Sequence, residues 1–220
     1  MCIKIEDIIN NSEIKTYIQM ADKALEALGY TEHSFAHVKI VSDTVGYILS
    51  TLGFDEHTVE LGKIAGYLHD IGNIVNRINH SQSGAIISFK ILDHLGMSAE
   101  DISQIVMAIG NHDEGTGTPI SPIAAALILA DKADVRRTRV RNQNDDTFDI
   151  HDRVNYSVKE SCVKINTDHT IIKVKLSIDT HYCSVMDFFE IFMERMILCK
   201  KAAEKLGLRF KLIINEQQLI

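Results

Sequence analysis

The 220-residue chain has only four cysteines, Cys2, Cys162, Cys183 and Cys199, and no CxxC pair among them. Their irregular spacing excludes a disulfide framework and leads us to expect free thiols in a reducing compartment. Long hydrophobic runs are also missing. The longest uncharged stretch, residues 115–130, holds both prolines of the chain, Pro119 and Pro122, and is shorter than the ~20 apolar residues of a membrane span. Residues 1–10 alternate charged and apolar side chains without the apolar run of a secretory signal. A soluble, cytoplasmic protein is the expectation. Basic charge is in deficit, with 23 Lys and Arg against 30 Asp and Glu and a net charge of −7. That balance argues against a general binder of long nucleic acid or of bilayers, while leaving room for a local basic patch. Internal repeats and low-complexity segments are absent too. What remains is 45% hydrophobic, enough chain to bury a full core without covalent staples. Ten histidines form the one excess that asks for an explanation.

The first two-thirds show helical periodicity. Ile14, Tyr17, Ile18, Ala21, Leu25 and Leu28 share one face, with Ser12 as expected N-cap and Gly29 as the stop. Val38, Val41, Val45, Ile48, Leu49 and Leu52 share a second, and Leu61, Ile64, Ala65 and Leu68 a third, closed by Gly72-Asn73. A helix over about 83–95 and another from Ser98 follow. Ser121-Pro122 is a cap with proline at the first helical position. It opens a nearly all-apolar helix, expected to run past Asp134 and to be the central member of a bundle.

The character changes after about Val140. Residues 142–152 are polar and acidic, suiting an exposed loop. Residues 162–165 and 172–178 alternate with period two around a turn at Thr167-Asp168-His169. Ser184 caps a helix that Gly207 stops, and Phe210, Leu212 and Ile214 make a last strand. The expected fold is mainly α: a helical domain over 1–150, then a small ββαβ appendage over 155–220.

Chemistry-bearing side chains fall on core-facing registers of these helices. His37 lies one turn before Val41, and His112 is in register with Ile105 and Ile109. Adjacent His69 and Asp70 close the third helix. Neighbours on a helix diverge by about 100°, so the two converge only where the helix is ending, as Gly72 suggests. Asp131 shares a register with Ala124, Leu127 and Ile128. A lone carboxylate there is costly unless it is paired or holds a metal. Mixed histidine and carboxylate donors suit Mn, Fe, Co, Ni or Zn rather than Ca. His33, His57, His94, His151, His169 and His181 are expected to be surface or structural.

The order His37, His69-Asp70, Asp131, in the contexts Leu68-His69-Asp70-Ile71-Gly72 and Leu129-Ala130-Asp131-Lys132-Ala133-Asp134, resembles the HD superfamily of metal-dependent phosphohydrolases, over about residues 30–140. His80 and His112 resemble the additional ligands of its two-metal branch. The stretch from Asn111 through Gly115-Thr116-Gly117-Thr118-Pro119 faintly echoes the HD-GYP signature for cyclic dinucleotide hydrolysis. The chain departs from that signature: Thr118 stands where tyrosine belongs and Asn73 replaces a lysine. A cyclic dinucleotide is therefore not the expected substrate.

The resemblance implies an all-helical fold and one or two divalent ions. His37, His69, Asp70 and Asp131 would hold one, with Asp70 bridging to a second on His80 and His112; in one-metal relatives the last two would orient substrate instead. The ions would activate a water and neutralise phosphoryl charge, with His69 and Asp70 at the catalytic centre. The expected substrate is a small phosphorylated molecule, a nucleotide or related phosphate mono- or diester. Candidate substrate contacts are Lys132, Arg136, Arg137, Asn111 and Asn73. Half of the eight arginines lie between positions 136 and 141, expected on the helix of Asp131 and suited to phosphate. The same cluster would equally serve as a solvated helix end or pair with Asp145-Asp146. A competing reading is a non-catalytic metal- or ligand-sensing module that dimerises or recruits a partner through the appendage, whose sheet edges are free to pair.

Overall fold

A computed structural model describes residues 3–220. Its helices, in order, are α1 (Ile5–Asn10), α2 (Ser12–Ala27), α3 (Phe35–Thr51), α4 (Glu56–Leu68), α5 (His80–His94), α6 (Ala99–Gly110), α7 (Pro122–Ala133), α8 (Ile150–Ser157) and α9 (Val185–Lys205). Side chains of Ser34, Asp55, Ser98, Ser121 and Ser184 accept backbone N–H bonds at the starts of α3, α4, α6, α7 and α9. Each cap satisfies a donor that the helix cannot. Asn11, rather than Ser12, caps α2, accepting from Glu13 and Ile14.

α7 is the axis of the bundle. Every residue from Ile123 to Ala130 is buried, and the helix packs against α3, α4, α6 and α9. Two strands, β1 (Val158–Ile165) and β2 (Ile171–Ile178), form an antiparallel hairpin; β3 (Arg209–Ile214) lies parallel to β2 and is joined to it through α9. A two-residue strand, β4 (Gln217–Gln218), extends the sheet to the order β1-β2-β3-β4. Ile172, Val174, Leu176 and Ile178 face inward with Phe210, Leu212 and Ile214, as the period-two pattern requires. Phe188, Phe192, Met196 and Cys199 of α9 are buried, and α9 contacts both α7 and β3. One continuous apolar cluster runs from Ile5 to Ile214. The mainly helical bundle followed by a small sheet is the expected class.

One helix has no counterpart in the sequence reading, and one is shorter than expected. Residues 5–10 are helical, although six residues are too few to be stable alone; Ile5 and Ile8 are buried, and the Glu60 carboxylate accepts the Ile5 N–H. α7 stops at Ala133 instead of passing Asp134. Asp134 leaves the helical region (φ −78°, ψ 70°), and its carbonyl accepts from Arg139 Nη1 at 2.7 Å. A guanidinium thus takes a carbonyl that the helix would have used, and Arg136 continues in extended conformation. The arginines therefore follow α7 rather than riding on it. Cys162, Cys183 and Cys199 are free thiols, and Cys2 lies outside the described residues. No helix among the described residues is long and apolar enough to cross a membrane.

Candidate metal centre

Six side chains from five helices and the turns at their ends converge beside α7. His37 comes from α3, His69 and Asp70 from the end of α4, His80 from the first position of α5, His112 from just beyond α6 and Asp131 from α7. All four histidines and Asp70 are buried. His37 Nε2 lies 3.5 Å from Asp70 Oδ2 and 3.4 Å from Asp131 Oδ1. His69 Nε2 lies 3.4 Å and 3.6 Å from the same two atoms. The other Asp70 oxygen, Oδ1, is 3.5 Å from His80 Nε2, which is 3.2 Å from His112 Nε2. Asp70 thus spans two histidine pairs, one on each oxygen.

Local backbone makes this possible. Past Leu68 the chain tightens into a 3-10 turn at Ile71–Ile74, and Asp70 takes φ −95°, ψ 1°. That break lets His69 and Asp70 face the same point, which a continuing α-helix forbids. Gly72 contributes through its size, not through a left-handed φ as a helix stop would. A Cβ there would sit 2.0 Å from the His80 carbonyl and 2.4 Å from the Gly84 nitrogen. Only glycine lets the turn lie against the start of α5, and this contact brings His80 to Asp70.

The outer side of each histidine is fixed. Nδ1 of His69, His80 and His112 donates to the carbonyls of Gly66 (2.8 Å), Arg77 (3.0 Å) and Ile109 (2.6 Å). A carbonyl can only accept, so Nδ1 carries a proton and Nε2 is the atom turned inward, a metal donor whenever the ring is neutral. His37 Nδ1 is held in the same way by Asp134 Oδ2 at 2.7 Å. His37 and His69 then face each other Nε2 to Nε2 at 3.3 Å. Two bare Nε2 atoms so directed repel, and a proton on one of them or a metal ion between them relieves it. Asp70 Oδ2, also turned to this point, is buried and has no hydrogen-bond partner.

Electrostatics agree with the geometry. Burial alone would depress His69, but Asp70 and Asp131 outweigh it and raise the imidazole to about 10. His37 is raised too: burial and Arg139 oppose this, and the carboxylates of Asp131, Asp134 and Asp70 around the ring prevail. Burial would raise the carboxyls of Asp70 and Asp131, yet their cationic neighbours hold both well below the usual range. His112 is pushed well down by burial, then by His69 and His80. Two charged carboxylates therefore demand positive charge at the centre of a ring of nitrogen donors. Three overlapping donor sets are within holding distance of an ion, their atoms within 4.8 Å of one another: His37-His69-Asp70, His69-His112-Asp131 and Asp70-His80-His112. Neutral imidazoles with carboxylates, and no thiolate, fit a first-row divalent ion.

Residues 34–136, which carry all six side chains, match the HD domain family. This stretch, just under half of the chain, is similar to the HD domain. The uncharacterized protein MJ1020 of Methanocaldococcus jannaschii is 26% identical over 159 residues, covering 62% of this chain. The match spans 61% of that relative's length. A predicted HD superfamily hydrolase from an uncultured Thermotogales bacterium is 19% identical, with a TM-score of 0.43, over 60% of this chain and 74% of its own.

Around the cluster, the expected substrate contacts take varied places. Asn73 Nδ2 donates to Asp70 Oδ1 at 2.9 Å, orienting the carboxylate and leaving Oδ2 to the histidines. Lys132 is buried, with Nζ 2.7 Å from Asp131 Oδ2 and 3.0 Å from Glu114 Oε2. It neutralises one Asp131 oxygen and leaves the other facing His37 and His69. Arg136 bridges Asp134 and Glu32. Arg137 lies over Tyr156, 4.4 Å from its ring centre, and its Nε donates to the Tyr156 carbonyl. Asn111 ends α6, its amide turned back to Met107 O. Of these five, only Lys132 lines the cavity of about 240 Å³ that opens on Asp70, His80 and Asp131.

That cavity has walls the sequence did not announce. Tyr30, His33 and Arg77 line it, with Asp152 and Asn155 of α8 and Arg195 of α9. Asp134 stands three residues after Asp131, and only the fold shows that it holds His37. Arg77 and Arg195 carry no sequence signal beyond their charge.

Proposed function

We propose that this HD-like domain holds one or two divalent transition-metal ions on His37, His69, Asp70, His80, His112 and Asp131, and hydrolyses a small phosphate ester. The observation that supports this most is the facing pair of Nε2 atoms beside the unpartnered Asp70 Oδ2, an arrangement that asks for a cation. When bound, such an ion supplies Lewis acidity toward phosphoryl oxygens and a water acidic enough to act at neutral pH. The chain's own residues do the rest. Asp134 and the three backbone carbonyls keep the imidazoles in the ligating tautomer. Asn73 and Lys132 each restrain one oxygen of Asp70 and Asp131. Burial excludes bulk water from the donors, and the cavity admits a ligand from one side.

The class of ester fits the cavity, which lies below the ~300–1,000 Å³ that encloses a drug-sized ligand. A small phosphate monoester or diester is the scale the cavity encloses; a nucleotide would extend beyond it, and a long polymer does not fit. The test is metal analysis of the purified protein with a panel of nucleotides and simple phosphoesters, alongside His69→Ala and Asp70→Ala. Metal-loaded protein that turns over none of them, or turnover unchanged in both variants, would remove the hydrolase reading. A non-catalytic sensing module would then be the better account.

A further inference from the structure

The cavity has two chemically different ends. At the cluster end, two guanidinium groups keep most of their five donors unused among the described residues. Arg77 Nη1 lies 3.9 Å from Asp70 Oδ1 and makes one hydrogen bond, of 3.3 Å, to Asn73 Oδ1. Arg195 rests 4.5 Å from the ring centre of Phe192 and pairs through Nε with Glu114. The other two cations of the wall are engaged: Lys132 by Asp131 and Glu114, and Arg139, itself buried, by the carbonyls of Glu32 and Asp134.

The far end is the one that adjoins a second, shallower pocket, with which it shares Gly29, Tyr30 and Asp152 but none of the cluster residues. It offers acceptors. Asn155 is buried and its Nδ2 donates to the His151 carbonyl at 2.9 Å, so its Oδ1 receives no donor among the described residues. Asp152, which lines the cavity, accepts at Oδ2 from Asn142 at 3.3 Å, and its Oδ1 receives no donor among the described residues. Asp149 and Asp152 stand at the N-terminus of α8, Asp149 as its cap accepting the Asp152 N–H at 2.8 Å, where the helix dipole offsets carboxylate charge, so this end does not require a cationic ligand. Uncharged hydrogen-bond donors, hydroxyl groups, satisfy both oxygens.

Building on the phosphohydrolase reading, we infer that the substrate is a phosphate ester of a hydroxylated group such as a sugar, its phosphate held by Arg77 and Arg195 and its hydroxyls by Asp152 and Asn155. The segment after residue 136 is then part of the active site: α8 and α9 supply the specificity wall of the HD-like domain.

The test uses the full-length, metal-loaded protein. Thermal protection by ribose 5-phosphate, phosphoethanolamine and inorganic phosphate is measured with kcat/KM for ribose 5-phosphate and p-nitrophenyl phosphate. Ribose 5-phosphate should protect more than the other two and be the better substrate. Asp152→Asn and Asn155→Ala should each lower that selectivity about tenfold, the worth of a hydrogen bond to a buried or charged acceptor. Arg77→Ala should raise KM for both esters about tenfold and weaken protection by inorganic phosphate, with metal content retained. Best protection by phosphoethanolamine, no preference for ribose 5-phosphate, or a preference surviving both acceptor variants would overturn the inference. Failure of the underlying reading looks different: no ester is turned over at all, whatever the order of protection.

Discussion

His37 Nδ1 donates to Asp134 Oδ2 at 2.7 Å, and this one bond turns Nε2 toward Asp70 and Asp131. It is the only one of the four outward Nδ1 bonds that ends on a side chain, and so the only one that substitution can remove directly. Asp134→Ala should weaken metal binding about 10- to 100-fold, the usual cost of losing such a support. Isothermal titration of the metal-free variant with Mn or Zn measures this directly. Affinity equal to that of the native chain would show that packing alone holds the ring.

Metal removal should destabilise the protein. A ligand at 100 times its Kd adds about 2.7 kcal/mol, and 1 kcal/mol moves Tm by about 2–4 °C for a chain of this size. Chelation should therefore lower Tm by roughly 5–10 °C, and adding back the correct ion should restore it. Calorimetry with each candidate ion in turn also ranks them. A Tm indifferent to chelator, in protein shown to carry metal beforehand, would place that ion outside the cluster.

The Asp134 carboxyl gives the metal-free protein a defined acid weakness. Burial would raise it, but the hydrogen bond to His37 and the charges of Arg139 and Arg136 bring it down to about 2 from 3.8. A depressed carboxyl stabilises above its unfolded value and loses that contribution as pH falls through the folded one. Roughly 2 kcal/mol should thus disappear between about pH 4 and pH 2. Urea titrations of metal-free protein across that window should show the loss, and Asp134→Asn should flatten it. Equal slopes for the two proteins would assign the acid limb to other carboxylates.

Gly72 should tolerate no side chain. Its missing Cβ would overlap the His80 carbonyl at 2.0 Å, so Gly72→Ala must push α5 away from the turn. Overpacking of this kind costs about 1–3 kcal/mol, and it would draw His80 from Asp70. A lower urea midpoint together with reduced metal stoichiometry per chain is the expected pair of results. Stoichiometry unchanged beside lowered stability would separate His80 from metal binding.

The parts legible from sequence were those that local periodicity encodes. The registers of His37, His112 and Asp131 follow from the apolar faces of their own helices, and the His69-Asp70 doublet needed only a helix end. The arginines after Asp131 were misplaced because α7 ends by a tertiary contact, Arg139 on the Asp134 carbonyl, which no helical pattern in 122–134 contains. Helix α1 was missed for the same reason, since its six residues are held by packing and by Glu60. The wall of Asp152, Asn155 and Arg195 was out of reach because it depends on how α8 and α9 lie against the cluster. Gly72 was recognised as a break, but its role as a close contact needs the position of α5.

The division of the chain is itself open to test. The sequence pattern suggested a helical domain over 1–150 followed by a small appendage over 155–220. In the fold, however, α9 lies on α7, and the apolar cluster continues through Phe188, Phe192, Met196, Leu212 and Ile214 without a seam. Removing everything after Ser157 would expose the α9-facing side of α7, a helix whose residues from Ile123 to Ala130 are all buried. Each large apolar side chain returned to water costs about 1.5–3 kcal/mol, and a domain has only about 5–15 kcal/mol in all. A chain ending at Ser157 should therefore aggregate or unfold without cooperativity, and lose metal with it. Light scattering, near-ultraviolet dichroism and metal analysis of that fragment decide the matter. A monomeric fragment that melts cooperatively and still binds metal would establish the helical part as an independent domain, with the sheet as a true appendage.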